Sequence, residues 1–206
     1  AVAEWVGVPH AVATVNGSAA LHVALLAAGV KPGDEVLVPT FTFIATANAI
    51  AYCGAHPVFL DVESVAWGLD PAKLADFLAR ECRQENGRPV NRRSGRTIRA
   101  VLPVDLYGHP CDLDPVLAAA REHGLAVVED AAESLGAVYR GRPVGGDAPL
   151  ACLSFNGNKV ITCGAGGMVL TRDEGLAARV RGLTTQARGD ALEFVHGEVG
   201  FIYRLS

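Results

Sequence analysis

Lysine is scarce in this chain, so each one is informative. Three occur, Lys31, Lys73 and Lys159, against 15 arginines. Lys31 lies in the turn-forming stretch Lys31-Pro32-Gly33-Asp34, and Lys73 on the polar face of an amphipathic segment, so both read as surface residues. Lys159 is placed differently. It closes Ser154-Phe155-Asn156-Gly157-Asn158-Lys159, after an apolar run and before Gly164-Ala165-Gly166-Gly167. An amine among apolar neighbours can lose its proton near neutral pH and form a Schiff base with a carbonyl. An ordinary loop lysine fits the local sequence equally well.

Three other groups could share chemistry with such an amine. Val15-Asn16-Gly17-Ser18-Ala19-Ala20 opens a helical pattern. Free amide N–H groups and the positive end of the helix dipole suit a phosphate there; a plain N-cap is the other reading. Glu129-Asp130 closes the apolar run Leu125-Ala126-Val127-Val128. A buried carboxylate at a strand end calls for a cation, and a protonated ring nitrogen would serve; capping of Ala131-Ala132-Glu133 is the alternative. Phe41 and Phe43 follow another apolar strand, where one could stack on a flat ring or simply pack in the core. Together these are a phosphate cradle, a stacking aromatic, an acid for a ring nitrogen and an amine for an aldehyde, which are the parts of a pyridoxal phosphate pocket.

The elements that must hold these residues alternate along the chain. Helical patterns cover 18–28, 45–53, 71–82, 114–123 and 174–183, with Asp70 as N-cap and Pro71 at the first position of the third. Strand patterns cover 35–38, 57–62, 100–104, 125–129, 150–155 and 168–171. Continuous apolar strands separated by helices predict an α/β fold with a mostly parallel sheet covered on both faces, a three-layer α/β/α arrangement. In such folds ligands bind beyond the carboxyl ends of the strands. Residues 84–99 are polar, Arg-rich and broken by glycine, and read as a solvated loop or else a phosphate-binding patch. From Val36 to Leu60 no charged residue occurs, but Pro39, Asn48, Gly54, His56 and Pro57 argue for two buried strands around a helix and against a membrane span.

Composition narrows the classes further. The chain has 206 residues, 50% of them apolar, and a net charge of −4, with no basic stripe of the kind nucleic-acid binders carry. The five cysteines (Cys53, Cys82, Cys111, Cys152, Cys163) contain no C-x-x-C pair, and His10, His22, His56, His109, His123 and His196 lack ligand spacing. No metal site is expected, and a reduced, cytoplasmic protein is. Ala1 is not a start methionine, so the chain reads as a piece of a longer protein.

At the level of motifs, the chain resembles the DegT/DnrJ/EryC1/StrS family of pyridoxal-phosphate-dependent sugar aminotransferases, with the aspartate-aminotransferase-like fold (type I). The stretches that carry the resemblance are NGSAALHVAL (16–25), GDEVLVPTFTFIATANAI (33–50), VLPVDLYGHPCDLD (101–114), VVEDAAESLGA (127–137), SFNGNKVITCGAGGM (154–168) and LTTQARGD (183–190). The resemblance implies that Lys159 bonds the cofactor and later moves a proton. Asp130 would pair with the pyridine nitrogen, Glu133 would lie near the phenolic oxygen, and Phe43 would stack on the ring. Gly17, Ser18, Ala19 and Ser154 would bind the phosphate. It also implies L-glutamate as amino donor, a nucleotide-linked keto-deoxy sugar as acceptor (from the FNGNK loop, a UDP-linked 4-keto-6-deoxy amino sugar), and a homodimer.

The large cofactor-binding domain is expected over 1–190, with 191–206 beginning the connection to a smaller C-terminal domain not contained in the chain. One position departs from the family pattern. Gly200-Phe201-Ile202-Tyr203-Arg204-Leu205-Ser206 carries Ile202 where relatives have an asparagine that reaches the neighbouring subunit's cofactor phosphate. Isoleucine cannot make that hydrogen bond. A non-catalytic binding or regulatory module is therefore the competing expectation. Sugar dehydratases of the family replace the lysine with histidine, and a nicotinamide enzyme would need a glycine fingerprint absent here.

Overall fold

A computed structural model describes residues 1–189 and 195–205. The expected boundary between 190 and 191 lies outside the described residues. In chain order the elements are α1 (Val2–Val6), β1 (His10–Thr14), α2 (Gly17–Ala27), β2 (Glu35–Pro39), α3 (Ile44–Tyr52), β3 (His56–Leu60), α4 (Pro71–Arg80), β4 (Cys82–Glu85) and β5 (Arg88–Asn91). There follow β6 (Ile98–Val101), a 3-10 turn (Leu106–Gly108), α5 (Leu113–His123), β7 (Ala126–Asp130), β8 (Val138–Tyr139), β9 (Arg142–Pro143), β10 (Leu150–Ser154), β11 (Gly167–Thr171) and α6 (Glu174–Thr184).

The main sheet has seven strands in the order β1-β11-β10-β7-β6-β2-β3. The run from β10 to β3 is parallel, and β11 lies antiparallel to both β10 and β1. Side chains alternate across it, as the two-residue strand period requires. Val36, Val38, Ala100, Leu102, Val128, Leu150, Cys152 and Val169 face the layer of α2, α3 and α6. Leu37, Val101 and Val127 face α4 and α5. Ala151, Leu153 and Leu170 pack with Val6 of α1. The three-layer, mostly parallel α/β fold expected from the sequence is the one that forms.

The uncharged span 36–60 is indeed β2, α3 and β3, two strands around a helix, and among the described residues no helix is long and apolar enough to cross a membrane. The reading of 84–99 as a loop needs correction. Half of it, residues 84–91, forms the antiparallel β4–β5 hairpin, and Ile98 already belongs to β6. Asn86 and Gly87 turn the hairpin, both at positive φ (51° and 74°), as a tight two-residue connection demands. Cys82, Pro89, Val90 and Asn91 supply its buried side, and Asn91 Nδ2 donates to the Glu35 carboxylate at 2.8 Å. The strand β1 and the short helix α1 carry no pattern singled out in the sequence. β1 is an edge strand, paired only through β11 among the described residues.

Candidate active site

The parallel strands all end on one side of the sheet, and a cleft opens there. Its floor is built from three strand ends and one helix start. β1 leads through Asn16 into α2, and Asn16 Oδ1 caps the helix by accepting the Ala19 N–H at 2.8 Å. Gly17 begins that helix against the end of β10. A Cβ at Gly17 would stand 2.9 Å from the Ser154 Cβ and 3.1 Å from its hydroxyl, so only glycine lets the two backbones approach. Gly167 is required in the same way, because a Cβ there would fall 2.3 Å from the Asn16 carbonyl oxygen. The result is a helix N-terminus and a serine hydroxyl side by side, lined by Gly17, Ser18 and Ser154.

Asp130 ends β7 with its side chain toward α3. It is buried, and Thr46 Oγ1 donates to its Oδ2 at 2.7 Å while the Ala132 N–H donates to Oδ1 at 3.2 Å. Burial pushes its pKa up to about 6, and these two donors and Lys159 pull against that. No arginine or lysine forms an ion pair with Asp130 among the described residues. The carboxylate is thus a buried anion aimed into the cleft with room for a cationic ring nitrogen beside it. The helix read as an alternative for residues 131–133 does not form; this stretch is a turn.

Lys159 reaches the cleft from the loop after β10. Its Nζ lies 3.0 Å from Glu133 Oε1 and 6.0 Å from the centroid of the Phe43 ring, with the lysine side chain only 12% exposed. Glu133 is aimed from its other oxygen, since the Tyr107 N–H donates to Oε2 at 2.9 Å. Phe43 stands at the start of α3 and is 67% exposed, an open aromatic wall beside the amine. Phe41 points away and meets Trp67 and Tyr107, each at 6.1 Å between ring centroids.

Seven of the eight residues singled out in the sequence therefore share one cleft: Gly17, Ser18, Phe43, Asp130, Glu133, Ser154 and Lys159. Ala19 does not line it; it is buried and its N–H is already taken by Asn16. Thr46 and Asp105 line the cleft without having been singled out. The donor set fits pyridoxal phosphate: a glycine-floored anion cradle, a buried acid, an aromatic wall and a sheltered amine. Among the described residues no cluster of three or more His, Cys, Asp or Glu is arranged to hold a metal.

Comparison with known proteins gives the chain's family. The family model described as the DegT/DnrJ/EryC1/StrS aminotransferase family matches residues 1–206. A GDP-perosamine synthase of Caulobacter vibrioides is 46% identical over 206 residues, covering 100% of this chain and 51% of its own length. A UDP-N-acetyl-3-dehydro-alpha-D-glucosamine 3-aminotransferase of Acidithiobacillus ferrooxidans is 40% identical over 205 residues, covering 99% of this chain and 51% of its own. The crystal structure of S. venezuelae DesV in complex with a ketimine intermediate superposes with a TM-score of 0.85 at 38% identity, over 99% of this chain and 50% of that one. The chain spans about half the length of the curated relatives it matches. It belongs to the DegT/DnrJ/EryC1/StrS aminotransferase family.

Proposed function

We propose that the whole protein is a pyridoxal-phosphate-dependent aminotransferase that moves an amino group from L-glutamate to a keto-deoxy sugar linked to a nucleotide. The observation that carries this reading is the placement of the Lys159 amine, 3.0 Å from Glu133, in the cleft shared with buried Asp130 and the Gly17–Ser154 cradle. Bound there, pyridoxal phosphate supplies an aldehyde to carry the amino group and a ring to take up electrons.

Each residue then has a task that its geometry allows. The α2 N-terminus, through Gly17 and Ser18, and the Ser154 hydroxyl hold the phosphate. Ala19 contributes by ending the cap that fixes this turn. Asp130 holds a proton on the ring nitrogen, and Phe43 covers one face of the ring. Lys159 bonds the cofactor at rest and carries a proton during transfer, and Glu133 orients its Nζ.

The nucleotide-sugar acceptor is supported by relatives whose names carry GDP- and UDP-linked sugars. A UDP-linked 4-keto-6-deoxy amino sugar is the acceptor to try first, beside its GDP-linked counterpart, in a pathway building surface glycans or secondary-metabolite sugars. We take the working unit to be a cytoplasmic homodimer. Ile202, 70% exposed and bridged to Thr185, favours a second reading, cofactor binding without turnover.

The test is direct. Borohydride should trap the cofactor on Lys159 in the wild type and not in Lys159→Ala. Adding L-glutamate should convert the bound cofactor to its amine form. Trapping without conversion supports the second reading, and a protein that takes up no cofactor refutes both.

A further inference from the structure

Strand β7 carries a second carboxyl that the cleft does not use. Glu129 points to the opposite face from Asp130 and is buried. Its Oε2 is the one fully buried side-chain oxygen or nitrogen left without a hydrogen-bond partner among the described residues. The group it meets is the carboxyl of Asp105, also buried. Asp105 already accepts the Cys111 N–H at 3.0 Å and the Ser134 hydroxyl at 2.9 Å. Two facing carboxylates are two acceptors, and neither satisfies the other.

The Gly145 N–H donates to Glu129 and favours its ionised form, but it does not relieve the repulsion between the two carboxyls. Asp147 adds further negative charge toward Glu129, and its own Oδ2 is held by Arg142 at 2.7 Å. The remaining titratable neighbours are Asp130 and the thiols of Cys111 and Cys152, both pushed up by burial. Burial, with repulsion from Asp105, drives Glu129 well above the ordinary carboxylate range. Burial raises Asp105 as well, and its Cys111 and Ser134 donors pull it back toward the ionised form.

We propose that Glu129 is a neutral acid in the folded protein, donating its proton to Asp105, and that this buried pair is the positioning element beneath Asp130 and Glu133. The connections run outward from Asp105. Its N–H donates to the Asp130 carbonyl at 3.1 Å, fixing the end of β7. Its carboxylate holds Ser134, the residue after Glu133, whose hydroxyl also reaches the Ala131 carbonyl at 3.3 Å. Through Cys111 it ties down the loop that carries Tyr107, whose N–H aims Glu133 at Lys159. Without the proton, repulsion would push Asp105 off these partners. The positioning half rests on the proposed use of the cleft; the shared proton does not.

The experiment has two arms, both on the whole purified protein. In the first, without cofactor at pH 7, the infrared spectrum should show a protonated-carboxyl band that Glu129→Gln lacks. The folding equilibrium of the wild type should also lose, relative to Glu129→Gln, about tenfold per pH unit as pH rises above the ordinary glutamate range. No band, or a band that persists in Glu129→Gln, overturns the shared proton.

In the second arm pyridoxal phosphate is titrated in. Glu129→Gln, whose amide still donates to Asp105, should bind within about threefold of wild type. Glu129→Leu, which takes the Glu129 proton from Asp105 and leaves it only the Cys111 and Ser134 donors, should weaken binding about tenfold or more and lower the yield of borohydride-trapped Lys159. Binding by Glu129→Leu equal to wild type overturns the positioning role. Should Glu129→Leu not fold, Asp105→Asn, which weakens the hold on Ser134 and Cys111, should show the same loss, and its absence counts the same way. A wild type that binds no cofactor refutes the aminotransferase reading alone, because the first arm still reads the proton.

Discussion

Asp130 is useful because its environment is unfavourable to it. Burial raises its pKa to about 6, and the Thr46 hydroxyl at 2.7 Å is the strongest single contact holding it ionised. Removing that hydroxyl in Thr46→Val must raise the carboxyl further. A ring cation binds the ionised form, so the acid limb of cofactor binding should move to higher pH in Thr46→Val. Affinity near pH 7 should drop about tenfold, the usual worth of a hydrogen bond to a charged group. Fluorescence titration with pyridoxal phosphate across pH 5–8 would read both effects, and an unmoved limb would show that Thr46 only packs. Lys159 and Asp130 were legible in the sequence because scarcity and strand-end position mark them without knowledge of contacts. Thr46 was not, since it meets Asp130 across 84 residues of chain and looks like any small helical residue. Sequence also presented Glu129 and Asp130 as one acidic pair, whereas the two-residue strand period sends them to opposite faces.

The elements bring these residues together through backbone contacts, and the sharpest is between α2 and β10. Gly17→Ala would set a Cβ 2.9 Å from the Ser154 Cβ, with no flexible side chain to yield. It should cost about 1–3 kcal/mol of stability as overpacking does and pull the phosphate cradle apart. Gly182→Ala is the matched control: it lies inside α6 with nothing within 4 Å of the added methyl, and should gain about 0.5 kcal/mol by helix propensity alone. Urea unfolding of both variants, with cofactor titration, checks the contrast; a neutral Gly17→Ala would mean the cradle tolerates a wider spacing. The main helices and the parallel strands were readable from apolar periodicity and from caps such as Asp70, whose carboxylate accepts the Ala72 N–H at 2.8 Å. The β4–β5 hairpin was not, because its exposed positions are all polar, charged or glycine and its apolar side is only Cys82, Pro89 and Val90. Only Asn86-Gly87 announced it, a turn signal outweighed by composition.

At the scale of the whole molecule, the last described residues lie back across the helical layer and pin the strand that leads to the cradle. The Phe201 N–H donates to the Leu183 carbonyl at 2.7 Å, and the Val15 N–H to the Tyr203 carbonyl at 2.8 Å. Between them sits His22 of α2, ringed by Tyr52, Phe201 and Tyr203, with its Nδ1 at 3.3 Å from the Tyr203 hydroxyl. Burial lowers the His22 pKa, and a hydrogen bond to the Tyr52 backbone pulls it partly back. A lowered value means that the unfolded chain takes up a proton that the folded one refuses. The stability His22 provides is therefore complete above about pH 6.5 and is lost as pH falls through that value, by at most about 1.4 kcal/mol per pH unit. Asp130 works in the opposite sense: raised to about 6, it costs stability as pH climbs from the ordinary aspartate range toward 6. Between pH 5 and 6 the His22 slope opposes those of Asp130 and Glu129, so the cofactor-free wild type should lose stability there more slowly than the carboxyls alone would impose. His22→Phe keeps an aromatic ring in the cluster and removes the histidine proton, which unmasks the carboxyl slope. Its unfolding free energy should fall steadily as pH rises from 5 to 6, with the loss read from urea midpoints at half-unit steps. Parallel curves for the two proteins would mean that His22 takes up its proton as readily when folded as when unfolded, and that the clamp over α2 opens to water.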